Sequence, residues 1–309
     1  MIGNTPLLKL NNVTKDLPGT MYVKLEYENP GGSVKDRIAL QMILDAEKKG
    51  VLKRGDTLIE PTSGSTGIGI ALVGQRMGYK VVLVTTEKCS EEKKAIMNAL
   101  GAELIVADSE AQYGTPNNYR TIAEEYVKTH DDAHYLNQHS NPKNPNAHFV
   151  STGPEIWNQT GGRITHFVAG IGTGGSITGV GNFLKRCNPQ IKIIGIDPPG
   201  SIYSGDNRSY RHEIEGIGET LIIPSVFEEK VIDSLIKVDD KEAFLMCRKI
   251  AREEGLLVGG SSGAAIYGAI EYARQLKGEP IIVILVPDGG ERYLSKIFSD
   301  EWMLKHGFI

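Results

Sequence analysis

The chain has 309 residues, 40% of them hydrophobic, enough to bury a large core and long enough to favour two domains. A formal net charge of -4 and a pI near 6.0 offer no basic field for nucleic acid. No run approaches the ~18 apolar residues of a membrane span, and Met1-Ile2-Gly3-Asn4-Thr5-Pro6 has neither a charged n-region nor an apolar h-region, so no membrane partner and no secretion are expected. Cys89, Cys187 and Cys247 lie far apart, outside any C-x-x-C pair or His cluster. That pattern argues against structural zinc and disulfides and for a reducing, cytoplasmic setting.

In chain order, strand-like runs at 6–10 and 21–26 lead into Asn29-Pro30-Gly31-Gly32-Ser33-Val34-Lys35-Asp36-Arg37, a turn that opens a helix over 35–49. Lys35 sits in the first turn of that helix. The helix N-terminus and Arg37 are both expected to disfavour its ammonium, which would make the amine easier to deprotonate and use as a nucleophile. Taken alone, a solvated lysine after a turn explains it as well. Then follow strand 57–60, the loop Pro61-Thr62-Ser63-Gly64-Ser65-Thr66-Gly67, helix 68–77, strand 81–84, helix 91–100, strand 104–106, helix 121–129 and strand 135–137. This alternation predicts an open α/β unit.

The Asn/Pro-rich stretch 138–146 reads as a crossing between domains. A second set of units follows: helix 147–159, strand 167–169, a glycine loop, helix 177–186 and strand 193–197. Residues 198–223 look irregular, with Gly216-Ile217-Gly218 as their tightest turn. Helix 241–254, loop 255–263, helix 264–276, strand 281–286 and a final helix close the chain. The fold class is α/β, two open, mostly parallel sheets with helices on both faces.

Three loops carry candidate chemistry. Ile171-Gly172-Thr173-Gly174-Gly175-Ser176 follows a strand and opens a helix, so backbone N–H groups, two hydroxyls and the helix dipole can converge on an anion. A phosphate monoester fits. So does a dinucleotide, because Gly172-x-Gly174 with Asp197 at the end of the next strand imitates the Rossmann fingerprint, although the third glycine falls at Gly179. The loop at 61–67 has four hydroxyls where a helix cap needs one, which suits a carboxylate. Gly259-Gly260-Ser261-Ser262-Gly263 is a third loop before a helix.

An activated lysine, a phosphate cup, a carboxylate loop and a further hydroxyl loop together meet the needs of pyridoxal 5′-phosphate chemistry on an amino acid. In order and spacing, the motifs at 2–7, 29–37, 61–69, 172–179 and Glu254-Gly255-Leu256-Leu257 resemble the cysteine synthase and cystathionine β-synthase family of fold type II pyridoxal-phosphate enzymes. The ending Phe298-Ser299-Asp300-Glu301-Trp302-Met303 is similar to the cystathionine β-synthase branch. The resemblance implies a tryptophan synthase β-like fold, with a smaller, mobile, substrate-gripping domain at 35–140 and a larger, phosphate-anchoring domain at 1–34 plus 141–309.

Carried across by position, the resemblance makes Lys35 the Schiff-base lysine and Gly172, Thr173, Gly174, Gly175 and Ser176 the phosphate cup. Thr62, Ser63, Gly64 and Thr66, helped by Gln138, correspond to the substrate carboxylate loop, and Ser261 to the partner of the pyridine nitrogen. Ser65 stands where the family usually has an asparagine that contacts the cofactor's 3′ oxygen, which puts the usual substrate preference in doubt. The implied reaction is β-elimination or β-replacement on serine, O-acetylserine or cysteine through an aminoacrylate. A thiol or sulfide then adds, giving cysteine, cystathionine or lanthionine, or hydrogen sulfide is released. A homodimer is implied, and neither haem nor adenosyl regulation is expected. Two rival readings are a nicotinamide oxidoreductase built on the Gly172 loop and Asp197, and a non-catalytic binding partner of the same fold.

Overall fold

A computed structural model describes residues 1–205, 212–220 and 222–309. Strand β1 (Leu7–Lys9) pairs antiparallel with β2 (Thr20–Leu25), and the chain then enters a first α/β unit. Its elements are α1 (Lys35–Lys48), β3 (Thr57–Pro61), α2 (Ser65–Met77), β4 (Lys80–Thr86), α3 (Glu91–Ala99), β5 (Glu103–Ala107), α4 (Tyr119–Thr129) and β6 (Ala133–Tyr135). The four strands make a parallel sheet in the order β5-β4-β3-β6. Successive residues alternate faces: Leu58, Val81 and Leu83 join Ile38, Met42, Ile68 and Ile70, whereas Ile59, Val82 and Val84 join Ala123 of α4. Both faces are therefore covered, as parallel strands require.

The remaining elements are α5 (Lys143–Ala147), a π-turn at His148–Thr152, α6 (Gly153–Gln159), β7 (His166–Gly170), α7 (Gly175–Cys187), β8 (Lys192–Asp197), β9 (Ser234–Lys237), α8 (Asp240–Glu253), α9 (Gly260–Ala273), β10 (Ile281–Val286) and α10 (Asp300–Lys305). They return to the first strands and complete a six-stranded sheet, β1-β2-β10-β7-β8-β9, parallel except at β1. In β10, Ile282, Ile284 and Val286 pack toward α8 and α9, while Val283 and Leu285 pack toward α6 and α7. Ligand loops gather at the carboxyl ends of parallel strands. Here the ends of β3, β6, β7 and β10 all open on one cavity between the two sheets.

Several expectations shift. The stretch read as a crossing at 138–146 contains a helix, α5, because its asparagines serve as caps and ties: Asn141 Oδ1 accepts from the Lys143 N–H (3.0 Å), and Asn144 Nδ2 donates to the Gln138 carbonyl (2.7 Å). Helix α2 begins at Ser65, earlier than the apolar period indicates, since Thr62 Oγ1 accepts from Gly64 and Gly67 N–H groups at 3.0 and 3.1 Å. Helix α9 starts at Gly260, which puts Ser261 and Ser262 in its first turn rather than in a loop. Strand β6 lies at 133–135, two residues before its expected place. Strand β9 escaped the sequence pattern because it is a four-residue edge strand with only two apolar residues, Leu235 and Ile236. Of the irregular stretch at 198–223, residues 206–211 and 221 lie outside the described residues. Gly216 and Gly218 have φ of +88° and +79°, where glycine alone is unstrained. Among the described residues no helix is long and apolar enough to cross a membrane.

Candidate active site

Lys35 is held from two directions. The Val34 N–H donates to the Pro287 carbonyl (2.8 Å), Ser33 bridges to Asp288, and Ser33 Oγ accepts from the Lys35 N–H (3.2 Å). The start of α1 is thus stitched to the end of β10, and the half-buried Lys35 side chain projects into the cavity. Burial lowers its ammonium pKa from 10.5 to about 8, against the opposing pull of Asp288. The outcome matches the expectation from sequence, but the cause differs. Arg37 points away, its guanidinium bidentate to Glu26 (2.7 and 2.8 Å) and bonded to Glu155 (2.7 and 2.8 Å). It therefore belongs to a buried network with Lys24, whose Nζ lies 2.7 Å from Glu155.

The 61–67 loop forms the wall beside Lys35. Thr62 Oγ1 is committed to the backbone as described, so its side chain shapes the loop. Thr66 Oγ1 donates to Gln138 Oε1 (2.7 Å), which fixes the Gln138 amide with its NH2 as the group left to donate. The adjoining backbone is held in turn by Glu60, whose carboxylate oxygens accept from the Asn137 and Gln138 N–H groups at 2.8 and 3.0 Å. Burial raises the Glu60 carboxyl to about 8 despite those two bonds. Ser63 is exposed at the rim, and Ser65 Oγ accepts from Arg292 Nη1 (3.4 Å). The shorter side chain at 65 is thereby tied to the turn that follows β10. Gly64 does not line the cavity; it precedes α2 at φ +133°, where a Cβ would strike the Lys93 stem.

The opposite wall is the loop after β7. Gly174 has φ +81°, and α7 begins at Gly175, so the first N–H groups of a 13-residue helix face the cavity without intrahelical acceptors. A Cβ at Gly172 would collide with the Gly216 carbonyl, and one at Gly175 with the Asn144 amide. Asn144 Nδ2 donates to Thr173 Oγ1 (3.0 Å), and Ser176 Oγ pairs with His148 Nε2 (3.0 Å). Burial and the nearby Arg37 and Lys35 charges hold His148 well below its ordinary pKa, so it is neutral. Gly172→Ala is expected to weaken anion retention at this loop and to cost roughly 1–3 kcal/mol, because the obstacle is backbone and cannot rotate aside. Equilibrium dialysis with pyridoxal phosphate and denaturant melts measure the two effects separately.

The cavity, about 530 Å³, also receives Ser261 from the first turn of α9. Of the thirteen positions assigned from the sequence to the cofactor and substrate sites, all but Gly64 line it. Asp197 does not: it is buried at the end of β8, and Gly179 is used to bring α7 against Pro145 and His148. The structure adds groups with little sequence signal. Asp288 at the end of β10 accepts from the Tyr293 hydroxyl (2.6 Å), and Tyr293 accepts from Lys93 (2.9 Å), which also pairs with Glu215 (2.7 Å). Asp288 was the detectable one, since it follows an apolar strand and precedes two glycines. Lys93 arrives from α3, Arg120 from α4, His139 from the loop after β6, and Glu215 and Glu219 from the 212–220 loop, and no local pattern marks them.

An amine that gives up its proton near 8 reacts with carbonyls, and an anion cup across the same cavity calls for a carbonyl compound that carries a phosphate. Fold and cavity therefore define an enzyme of the class that works through an aldehyde-bearing phosphate cofactor. The chain belongs to the pyridoxal-phosphate dependent enzyme family, whose model matches residues 1–288. It is 47% identical over its whole length to a cystathionine beta-synthase of Apis mellifera, of which it spans 62%. It is 46% identical to a cysteine synthase of Staphylococcus aureus, with 96% of this chain and 94% of that protein aligned. Among solved structures, a hydrogen sulfide-producing enzyme from Fusobacterium nucleatum superposes with a TM-score of 0.90 at 38% identity, over 95% of this chain and 97% of that one. The fold is accordingly that of fold type II, and the nicotinamide reading falls with the cofactor assignment.

The residues present fit that cofactor. Lys35 is an amine brought down by burial on the wall of the cavity that the α7 cup also lines, and the glycines of the cup leave open the volume that side chains would fill. Ser261 offers a neutral hydroxyl.

Proposed function

We propose that the chain catalyses β-replacement or β-elimination on a small amino acid such as serine, O-acetylserine or cysteine, with a thiol or sulfide as the incoming nucleophile. The observation that carries this reading is the depressed amine of Lys35 facing both an anion cup and a hydroxyl loop in one cavity. Relatives named cystathionine beta-synthase, cysteine synthase and hydrogen sulfide-producing enzyme support it.

Bound pyridoxal phosphate supplies an electron sink for bonds breaking at the amino acid's α-carbon. Gly172, Thr173, Gly174, Gly175 and Ser176 would hold its phosphate, Lys35 would supply the amine for its carbonyl group, and Ser261 would offer its ring nitrogen a neutral hydroxyl. As a free amine, Lys35 Nζ would take the substrate's α-proton, a role that suits a pKa of about 8. Ser63, the α2 N-terminus and the Gln138 NH2 grip the substrate carboxylate, with Thr66 orienting Gln138. Thr62 and Gly64 shape that loop. Closure of 62–140 toward the larger unit excludes water while the β-group leaves. Net, the thiol loses its proton, a C–S bond forms at the β-carbon as the bond to the β-substituent breaks, and the departing hydroxyl, acetate or hydrosulfide leaves as water, acetic acid or hydrogen sulfide.

The resemblance supports a homodimer, which sedimentation velocity reads directly. Three free cysteines, two of them buried, fit a cytoplasmic location. The test of the reaction is the near-ultraviolet and visible spectrum of the holoenzyme before and after serine, O-acetylserine and cysteine, added separately. A longer-wavelength shift with one of them, followed by its decay on adding a thiol, is the expected outcome and names the donor. A band indifferent to all three amino acids defeats the proposal.

A further inference from the structure

Strand β3 ends on a buried charge. All five of its residues are buried, and Glu60 is 0% exposed. Glu60 Oε2 accepts from the Asn137 N–H (2.8 Å) and Oε1 from the Gln138 N–H (3.0 Å). Two successive N–H groups converge on one anion where the backbone turns sharply, and Asn137 makes that turn at φ +53°. Among the described residues Asn4 is the only other non-glycine residue with a positive φ, a conformation that asparagine bears better than most. The turn is completed by the Asn137 carbonyl, which accepts from the Ser140 and Asn141 N–H groups at 3.1 and 2.9 Å.

A buried carboxylate is a costly way to close a turn, because two neutral donors only partly offset its desolvation. No ion pair relieves Glu60 among the described residues. What the arrangement holds is Gln138. Its N–H goes to Glu60, its carbonyl accepts from Asn144 Nδ2 (2.7 Å), and its Oε1 accepts from Thr66 Oγ1 (2.7 Å). The side-chain NH2 alone is left for a ligand in the cavity that Gln138 lines.

Burial lifts the Glu60 carboxyl from 4.5 to about 8, against the two backbone bonds and the charge of Arg120. The charged and titratable groups that face it are Arg120 and Tyr119 of α4 and Tyr135 of β6. Arg120 keeps its charge and lies 2.9 Å from Glu219 and 3.2 Å from His139. Burial pushes both phenols up, so they stay neutral, and holds His139, next to Gln138, neutral with a pKa of about 3. Of these groups Glu60 is the one that changes charge near neutral pH. Once protonated, one of its oxygens presents an O–H where a backbone N–H has to be met.

We propose that Glu60 is a positioning residue for the carboxylate of the amino-acid substrate and that its ionisation switches this part of the site. As an anion it fixes the 137–138 turn and so aims the Gln138 NH2; as a neutral acid it lets the turn go. This rests on the β-replacement reading above, in which Gln138 grips that carboxylate. Substrate binding therefore weakens as the pH falls through the titration of Glu60. By reciprocity, a bound carboxylate draws the proton off Glu60.

The experiment compares the wild type with Glu60→Gln, which keeps the shape but sets an NH2 against one of the two N–H groups. Holoenzyme is titrated at pH 6.5 and pH 9.5, following the absorbance of the bound cofactor. The probes are L-alanine, which has no β-group to lose, and ethylamine, which lacks the carboxylate. At each pH the ligand's own ionisation is common to both proteins and cancels from the ratio of their dissociation constants, variant over wild type. For L-alanine that ratio is expected to be near one at pH 6.5 and about 10 at pH 9.5, the scale of one net hydrogen bond. For ethylamine it stays near one at both. An L-alanine ratio that is the same at both pH values overturns the proposal, and so does a loss shared equally by ethylamine, which is what a merely structural acid would give. A second measurement needs no variant, so the proposal can fail even where Glu60→Gln does not fold. In the cofactor-free wild type, hydrogen-exchange protection of the 137 and 138 amides, corrected for intrinsic rates and referred to the amides of β4, is expected to fall about 10-fold from pH 9.5 to pH 6.5; unchanged protection overturns it. A wild-type holoenzyme whose spectrum ignores serine, O-acetylserine and cysteine alike is failure of the β-replacement reading itself, a different result from any of these.

Discussion

Lys35→Ala is expected to remove the visible band of the holoenzyme and to lower turnover on the order of 10²- to 10⁴-fold, the contribution of one positioned acid–base group, or further where covalent attachment of the cofactor limits the rate. The fold should survive the change. A depression from 10.5 to about 8 means that the cofactor-free protein carries a desolvation penalty of roughly 3 kcal/mol for keeping this amine charged at neutral pH. The sign follows from proton counting. Between about 8 and 10.5 the unfolded chain binds a proton that the native state has released, so stability rises with pH across that window, and the penalty is fully present below it. Lys35→Ala abolishes that rise and does not lower the neutral-pH melting temperature of the cofactor-free protein. Absorbance spectra and melts at pH 7 and pH 10 check both halves. A visible band that persists in the variant refutes the attachment, and a melting temperature that falls with activity would show that Lys35 mainly holds the fold.

Arg37→Leu is expected to cost about 3–5 kcal/mol, the largest stability effect of a single change near the cavity, because Glu26 and Glu155 are left in the interior without their cation. Arg37 is 3% exposed and also donates to Thr5 Oγ1 (3.2 Å) and Ser151 Oγ (3.1 Å), so it joins the first strands, α1 and α6. Adding Glu155→Gln to that variant should recover part of the loss, since it removes one uncompensated charge, and the non-additivity is measured by urea melts. There is a pH signature as well. Burial alone would raise the Glu155 carboxyl, but hydrogen bonds from Arg37 and Lys24 hold it at about 2. The stability it provides is present above its ordinary value near 4.5 and is lost as the pH falls from there toward about 2. In Arg37→Leu that acid-side loss flattens. Unchanged urea midpoints would mean that the network is dispensable to the fold.

The two proposed groups of charges near the cavity differ in origin. Lys35 and Arg37 are neighbours in one helical turn, yet the helix directs one into the cavity and the other into the seam with α6, so adjacency in sequence placed Arg37 beside a lysine it does not tune. Lys93 shows the converse. It is 200 residues from Tyr293 and 122 from Glu215 in the chain, and the three meet only because α3 of the small unit lies across the turn that follows β10.

What the sequence by itself determined is whatever is written in local chain order. Alternating β and α runs imply parallel sheets because side chains repeat every two residues in one and every 3.6 in the other. Strand-to-helix loops rich in glycine and hydroxyls imply anion sites, because backbone N–H groups at a helix N-terminus need partners. The cofactor was legible through the family resemblance that the ordered motifs carry, and the proposed attachment lysine, cup and carboxylate loop could be singled out because each lies in a run of consecutive residues. Tertiary structure decided the rest: the burial that lowers Lys35, the tie of Ser65 to Arg292, the helical form of 143–147, and the meeting of Arg120, His139 and Glu219 on one wall. These depend on desolvation and on contacts between residues 19 to 227 positions apart, quantities set by the packing of two sheets around a cavity.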